Sequence, residues 1–376
     1  MAEEKSRPAG KVQGEDTLTP SVPNATKMAR PGPSDLRIFI MGARGYASKI
    51  MEGFIASGET VVGVCCRNDA GLDTWPARLL RGAKKRIRAT AVGLGAYDKP
   101  LFVYERPFEN LSSPASIASR HKIPVLDPRE LRTAGFEATL AGLTPDIILV
   151  AGFRRLIPPN IIKVPRKAII NLHPSLLPKH RGGTPSRWVI RHGQRETGVT
   201  AHFVNEEYDR GDIVVQEALS VGADEIYGDL ELRLSDLAVT LANRVVEMAK
   251  QGTLVGVPQP PQHASQEPSY KGHYRNIQWH LSAREARQTC YAIRPQSGGM
   301  TTFGSRPLCV WDLDVCEGGS NASPPGTVIE IDDRGHPVVS CGMGTARITS
   351  FLHSGRVVPA RKLVRRFGID VGSVLG

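Results

Sequence analysis

Long apolar runs are missing from this sequence. None of its 376 residues lies in a stretch of the roughly 18 or more apolar residues that a membrane-spanning helix requires, so no such helix is expected. Cysteine is scarce: Cys65, Cys66, Cys290, Cys309, Cys316 and Cys341 form no Cys-x-x-Cys pair and keep no regular spacing. That argues against a disulfide framework and a zinc ribbon, and Cys65 and Cys66, ending an apolar run, read as core thiols. A complete dinucleotide fingerprint is also lacking. Gly42-x-x-Gly45 has no third glycine in register and no acid ends the next apolar run, so it reads as a tight strand-to-helix turn and not as an NAD site. No metal-ligand spacing is evident. Acidic charge is in the minority, 37 Asp and Glu against 48 Lys and Arg, for a net +11, the sign that favours phosphate-bearing or carboxylate-bearing partners.

Residues 1–34 have no hydrophobic periodicity and no apolar stretch long enough for a secretory signal. Rich in Pro, Ala, Lys and Glu, they are expected to be a disordered extension. Glu3, Glu4, Glu15 and Asp16 place acid where a mitochondrial transit peptide is acid-poor, so a cytoplasmic enzyme is expected.

What is present is a repeating strand-and-helix pattern. Leu36–Met41 is a short apolar strand running into Gly42–Ala47 and a helix through Ile50, Met51 and Phe54, followed by a strand over Thr60–Cys66. After an irregular region, a helix opens at Ser113-Pro114-Ala115, Ile123–Val125 is a short strand, Pro128–Leu140 reads as one helix, and Pro145–Ala151 as a buried strand. Strands alternating with helices predict a doubly wound, mostly parallel α/β sheet over residues 35–256, of the Rossmann-like kind. Its last helix runs from Asp229 to Gln251, with Leu230, Leu234, Leu237, Leu241, Val245 and Met248 at three- and four-residue spacing. Val257–Gln262 then reads as a linker with polyproline character, assigned to residues 257–268. Residues 269–376 carry short β-like runs at Pro307–Val310, Gly326–Ile331, Pro337–Val339 and Ala346–Phe351 between Gly, Pro and Asp, which suggests a small barrel.

The chemistry concentrates in Ile169–Pro178. An apolar strand ends there in Asn171, His173, Pro174 and Ser175, with Arg181-Gly182-Gly183 following. Side chains alternate along a strand, so Asn171 and His173 share a face. An amide N–H and an imidazole side by side can meet a developing oxyanion and move a proton, which suits attack on a carbonyl. About thirty residues on, the strand Thr197–Val204 breaks at Asn205–Asp212 before Ile213 resumes. A carboxylate on that turn, Asp209 or Asp212, can reach back to orient the imidazole and raise its pKa.

These residues carry a resemblance. Asn171-x-His173-Pro174-Ser175-Leu176-Leu177-Pro178 with Arg181-Gly182, then Thr197-Gly198-Val199-Thr200 and Tyr208-Asp209-Arg210-Gly211-Asp212-Ile213, resemble the formyltransferases that use 10-formyltetrahydrofolate. The family includes enzymes acting on methionyl-tRNA, on phosphoribosylglycinamide and on amino sugars. The resemblance implies an N-formyltransferase whose catalytic residues are Asn171, His173 and Asp209, with Asp212 structural and no metal required. It implies a folate pocket at Phe153, Arg154, Arg155, Leu156 and Ile157, with Ser175, Leu176, Leu177, Pro178, Glu207 and Tyr208 contributing. For the acceptor it implies contacts at Gly42, Arg44, Arg81, Lys84, Lys85, Arg86, Arg181 and Gly182.

The order of segments beyond Tyr270 is similar to the C-terminal OB-like domain of the tRNA-acting members. The basic cluster at residues 78–88 is similar in position and charge to the insertion by which those members hold the tRNA acceptor arm. Arg356, Arg361, Lys362, Arg365 and Arg366 add a basic tail. The expected acceptor is therefore the amino group of initiator methionyl-tRNA, and the expected setting protein biosynthesis. Two departures favour a small amine instead, such as a nucleotide amino sugar or an amino-acid precursor: Arg181-Gly182-Gly183-Thr184-Pro185 where the tRNA enzymes carry Arg-Gly-Ala-Ala-Pro, and Pro174 for a common Ala. A non-catalytic folate- or RNA-binding module is the third reading.

Overall fold

The computed structural model describes residues 36–43, 45–67, 108, 111–270, 272–316 and 323–376. Arg44 and the basic cluster at residues 78–88, with Arg81, Lys84, Lys85 and Arg86, lie outside them, as do residues 1–34.

The first sheet has seven strands: β1 (Arg37–Gly42), β2 (Thr60–Cys65), β3 (Val125–Leu126), β4 (Ile147–Ala151), β5 (Ala168–His173), β7 (Glu196–Phe203) and β8 (Ile213–Ser220). Their order is β3-β2-β1-β4-β5-β7-β8. Pairing is parallel from β3 to β5 and antiparallel from β5 through β7 to β8, as the mostly parallel reading requires. Strand periodicity sorts the side chains onto two faces. Ile38 and Ile40 join one core cluster with Leu230, Leu234 and Leu241, while Phe39 and Met41 join the other with Leu131, Phe136 and Leu140. A strand apolar at every position is thus buried on both sides.

Helices α1 (Tyr46–Ser57), α2 (Pro114–His121), α3 (Ala134–Gly142), α4 (Pro159–Ile162), α5 (Pro185–Arg191) and α6 (Tyr227–Gln251) accompany it. The single helix expected over Pro128–Leu140 is two pieces, a short 3₁₀ turn at Pro128–Glu130 and α3. Thr133 divides them: its backbone is extended and its hydroxyl accepts from Phe136 N–H, so it caps a new helix rather than continuing the old one.

The segment read as a linker packs down. Val257 bridges Ile213, and Gln259 is buried. Further on, β9 (Gln266–Glu267) pairs with β6 (Arg181–Gly182). The second sheet comprises β10 (Gly299–Phe303), β11 (Arg306–Cys316), β12 (Val328–Ile331), β13 (Pro337–Ser340), β14 (Thr345–His353) and β15 (Arg356–Pro359). It is antiparallel, in the order β10-β11-β14-β13-β12, with β15 on β14. The C-terminal segment links its two ends, Leu375 bridging Phe303 and Val374 bridging Thr327, which gives the barrel-like closure expected. Two helices here escaped the sequence reading: α7 (Ala283–Tyr291), opened by a Ser282–Glu285 capping box, and α8 (Ala360–Phe367). On α8, Leu363 and Val364 are buried while Arg361, Lys362, Arg365 and Arg366 are exposed, so these four residues of the basic tail form the outer face of an amphipathic helix, and Arg356 opens β15.

Candidate active site

The site is built where β5 ends beside β7. Register sets Asn171 opposite His202 and His173 opposite Thr200. The β7–β8 connection folds back tightly, with Phe203 N–H donating to Asp212 O at 2.9 Å. Only glycine fits at 211, because a Cβ there would lie 1.8 Å from Phe203 O. This return leaves Asp209 at φ 54, a left-handed conformation that Asp tolerates better than most residues. Its carboxylate comes within 3.4 Å of His173 Nδ1. Asp212 is exposed.

Asp209 is the hub. Oδ2 accepts Gly182 N–H at 2.8 Å, and Oδ1 accepts the Asn171 amide at 3.2 Å. Burial works to raise its pKa, but the His173 charge, the His202 side chain and the Gly182 N–H outweigh it, so the carboxyl lies well below its ordinary range. His173 is 4% exposed, and burial lowers its pKa against the opposing pull of Asp209 and the His180 carbonyl. The carboxylate does act to raise it, as expected, but desolvation of the ring is the larger effect. A neutral His173 donates Nε2–H to His180 O at 2.9 Å, which leaves the Nδ1 lone pair toward Asp209.

Two residues here were invisible in the sequence. His202 is buried; its Nδ1–H donates to Phe203 O at 2.8 Å, and its Nε2 stands 3.0 Å from the Asn171 amide nitrogen. That nitrogen thus has both hydrogens engaged, one toward Asp209 and one toward His202, and the carboxamide must rotate to offer one elsewhere. Gln259 donates from Nε2 to Asp209 O at 2.9 Å and Gly211 O at 2.8 Å, while its Oε1 accepts from Arg181 at 2.7 Å. Cross-strand register placed the first and a long chain return the second, and no local pattern encodes either.

The expected folate residues divide. Arg154, Arg155, Leu156 and Tyr208 line a cleft of about 310 Å³, together with Arg129, Leu131 and Arg132. Tyr208 ties it in sequence to Asp209. Arg129 and Arg132 were missed because they belong to the segment read as a continuous helix. Ile157 is buried in the core, and Phe153 packs against it. Ser175 and Leu177 are also buried, the Ser175 hydroxyl donating to Lys179 O and Leu177 N–H to Thr200 Oγ1. With Gln216 on Leu177 O and Pro178 buried, these residues shape the loop from within. Leu176 is half-buried, and Glu207 pairs with Arg210 at 2.9 Å. Among the acceptor residues, Gly42 pairs with Ala151 at the carboxyl edge of the sheet, while Arg181 and Gly182 are spent on Gln259 and Asp209.

Comparison with known proteins agrees with this architecture. The model of the formyl transferase family matches residues 85–246, and that of the formyl transferase C-terminal domain matches residues 271–368. A methionyl-tRNA formyltransferase of Pelotomaculum thermopropionicum is 34% identical over 257 residues, 68% of this chain and 81% of that one. One of Desulforamulus reducens is 26% identical over 342 residues, 91% of this chain and 98% of that one. Among solved structures, an N-formyltransferase from Helicobacter canadensis, in complex with folinic acid and dTDP-3-aminofucose, shares the fold with a TM-score of 0.56 at 16% identity, covering 83% of this chain and 98% of its own.

Proposed function

Because the chain belongs to the formyl transferase family, we propose that it moves a formyl group from 10-formyltetrahydrofolate to the amino group of initiator methionyl-tRNA, in the cytoplasm. The convergence of Asn171, His173 and Asp209 at the carboxyl end of β5 carries the formyl-transfer part. Both relatives are methionyl-tRNA formyltransferases, one of them matched over 91% of this chain, which supports the acceptor.

The cleft fits the donor. Three guanidiniums, those of Arg132, Arg154 and Arg155, suit the carboxylates of a folate tail, Arg129 being paired with Asp127 at 2.6 Å, and Leu156 with Tyr208 offers apolar surface to a ring. When bound, the donor supplies the activated formyl group and leaves as tetrahydrofolate. As the amine attacks, charge develops on the formyl oxygen. The Asn171 amide meets it after turning from Asp209 and His202. His173 takes up the proton lost by nitrogen, and ionised Asp209 stabilises the resulting imidazolium. Substituting Arg154 and Arg155 together with Ala should raise the KM for the donor about tenfold or more while leaving kcat near wild type. A KM that does not move would remove the cleft from donor binding.

A small amine is the second reading, favoured by Gly183 and Thr184 in the loop and by the amino-sugar ligand of the Helicobacter canadensis structure. Purified protein with 10-formyltetrahydrofolate and either methionyl-initiator tRNA or a panel of amines separates the two. Tetrahydrofolate release with tRNA, falling steeply as salt rises, is expected. Release with a small amine alone would transfer the assignment to metabolite formylation.

A further inference from the structure

We propose that His180, His192 and Glu267 form a binding site for one divalent transition-metal ion of the zinc class, which fastens the loop after β5 to the C-terminus of α5 and to β9. Nothing in the formyl-transfer reading requires this ion, and the proposal does not rest on that reading.

The three side chains come from distant parts of the chain, which is why no ligand spacing shows in the sequence. The fold gathers them. His180 precedes β6, His192 caps α5, and Glu267 on β9 is the register partner of Gly182. Their ligating atoms lie within 4.8 Å of one another. Glu267 Oε1 is 3.2 Å from His180 Nδ1 and 3.8 Å from His192 Nδ1, close to the roughly 3.4 Å that ~2.1 Å bonds around a tetrahedral ion impose. Two imidazoles and one carboxylate form a donor set that zinc favours.

The state of His180 is the second observation. Its ring is 4% exposed. Nε2–H donates to Gln194 Oε1 at 2.9 Å, so in the neutral ring Nδ1 carries the lone pair. Nδ1 is buried without a hydrogen-bond partner among the described residues, although it faces the Glu267 carboxylate. Two lone pairs directed at each other repel, and a cation bound to both removes the conflict. An amide oxygen holding the far nitrogen of a ligating histidine is the arrangement that orients such ligands. With its side chain 43% exposed, His192 leaves an entry path and an open position for water.

The site lies behind the catalytic loop: the same His180 gives its carbonyl to His173 Nε2–H. The ion would therefore hold the residue that holds the imidazole.

The test uses the full chain, stripped with chelator, freed of it and titrated with Zn²⁺ against a chromophoric competitor, with Co²⁺ absorption as a second readout. Binding of one Zn²⁺ per chain with Kd below about 1 µM is expected, with the visible bands of low-symmetry cobalt. His192→Ala and Glu267→Gln, each at a partly exposed position, should weaken binding about 100-fold or more while keeping the wild-type circular dichroism. No stoichiometric binding would mean that the three side chains hold no ion, and the proposal falls. Equal affinity in wild type and both variants would place the ion elsewhere and overturn it as well.

Discussion

Replacing His173 with Ala is expected to lower kcat for formyl transfer by about three orders of magnitude, with the KM for the donor changed much less. The substitution removes the group that takes the amine proton, a role worth about 10²–10⁴. Asn171→Ala should cost about 10² to 10³, and the double variant should fall little further, because residues acting as a unit are not additive. Single-turnover release of tetrahydrofolate measures all three. Turnover of His173→Ala within tenfold of wild type would remove it from the chemistry.

Asp209→Asn is expected to reduce kcat by a similar factor and to destabilise the fold by about 1–3 kcal/mol. The carboxylate receives Gly182 N–H at 2.8 Å and the Asn171 amide at 3.2 Å, and an amide in its place can accept at only one end. Whichever way it turns, its NH₂ group meets one of these two donors. The imidazolium formed at His173 also loses its counter-charge, 3.4 Å away. Urea unfolding checks the first effect and single-turnover kinetics the second. Near-normal turnover in a destabilised Asp209→Asn would leave the carboxylate with a purely architectural role.

The parts of the molecule legible in its sequence are those governed by short-range periodicity. The amphipathic spacing of Leu230, Leu234 and Leu241 fell on α6 within two residues at its start. The alternating strand put Asn171 and His173 on one face because the period of a strand is intrinsic to the backbone. In the C-terminal domain the same logic found four strands but passed over β10, β15 and two helices. Their apolar positions are few, and the signal of α7 lies in its Ser282–Glu285 cap more than in periodicity.

Residues 128–140 show the limit on the local side. Their apolar residues suit a helix throughout, yet Thr133 restarts it, and the arginines before that break, Arg129 and Arg132, reach the cleft. Gln259 shows the limit on the long-range side. Proline around it reads as a spacer, but the chain returns to the site and its amide ties two carbonyls of the Asp209 loop to Arg181.

The sequence by itself determined the alternation of strands and helices, the family resemblance, and the pairing of amide and imidazole at the end of β5, because backbone period and burial demand act over a few neighbouring residues. Only the tertiary structure decided that His202 stands across from Asn171, that burial lowers the His173 pKa by more than Asp209 raises it, and that His180, His192 and Glu267 converge. Each of these depends on register, chain return or desolvation, and those are properties of segments brought together across the chain, with no trace in the spacing of residues along it.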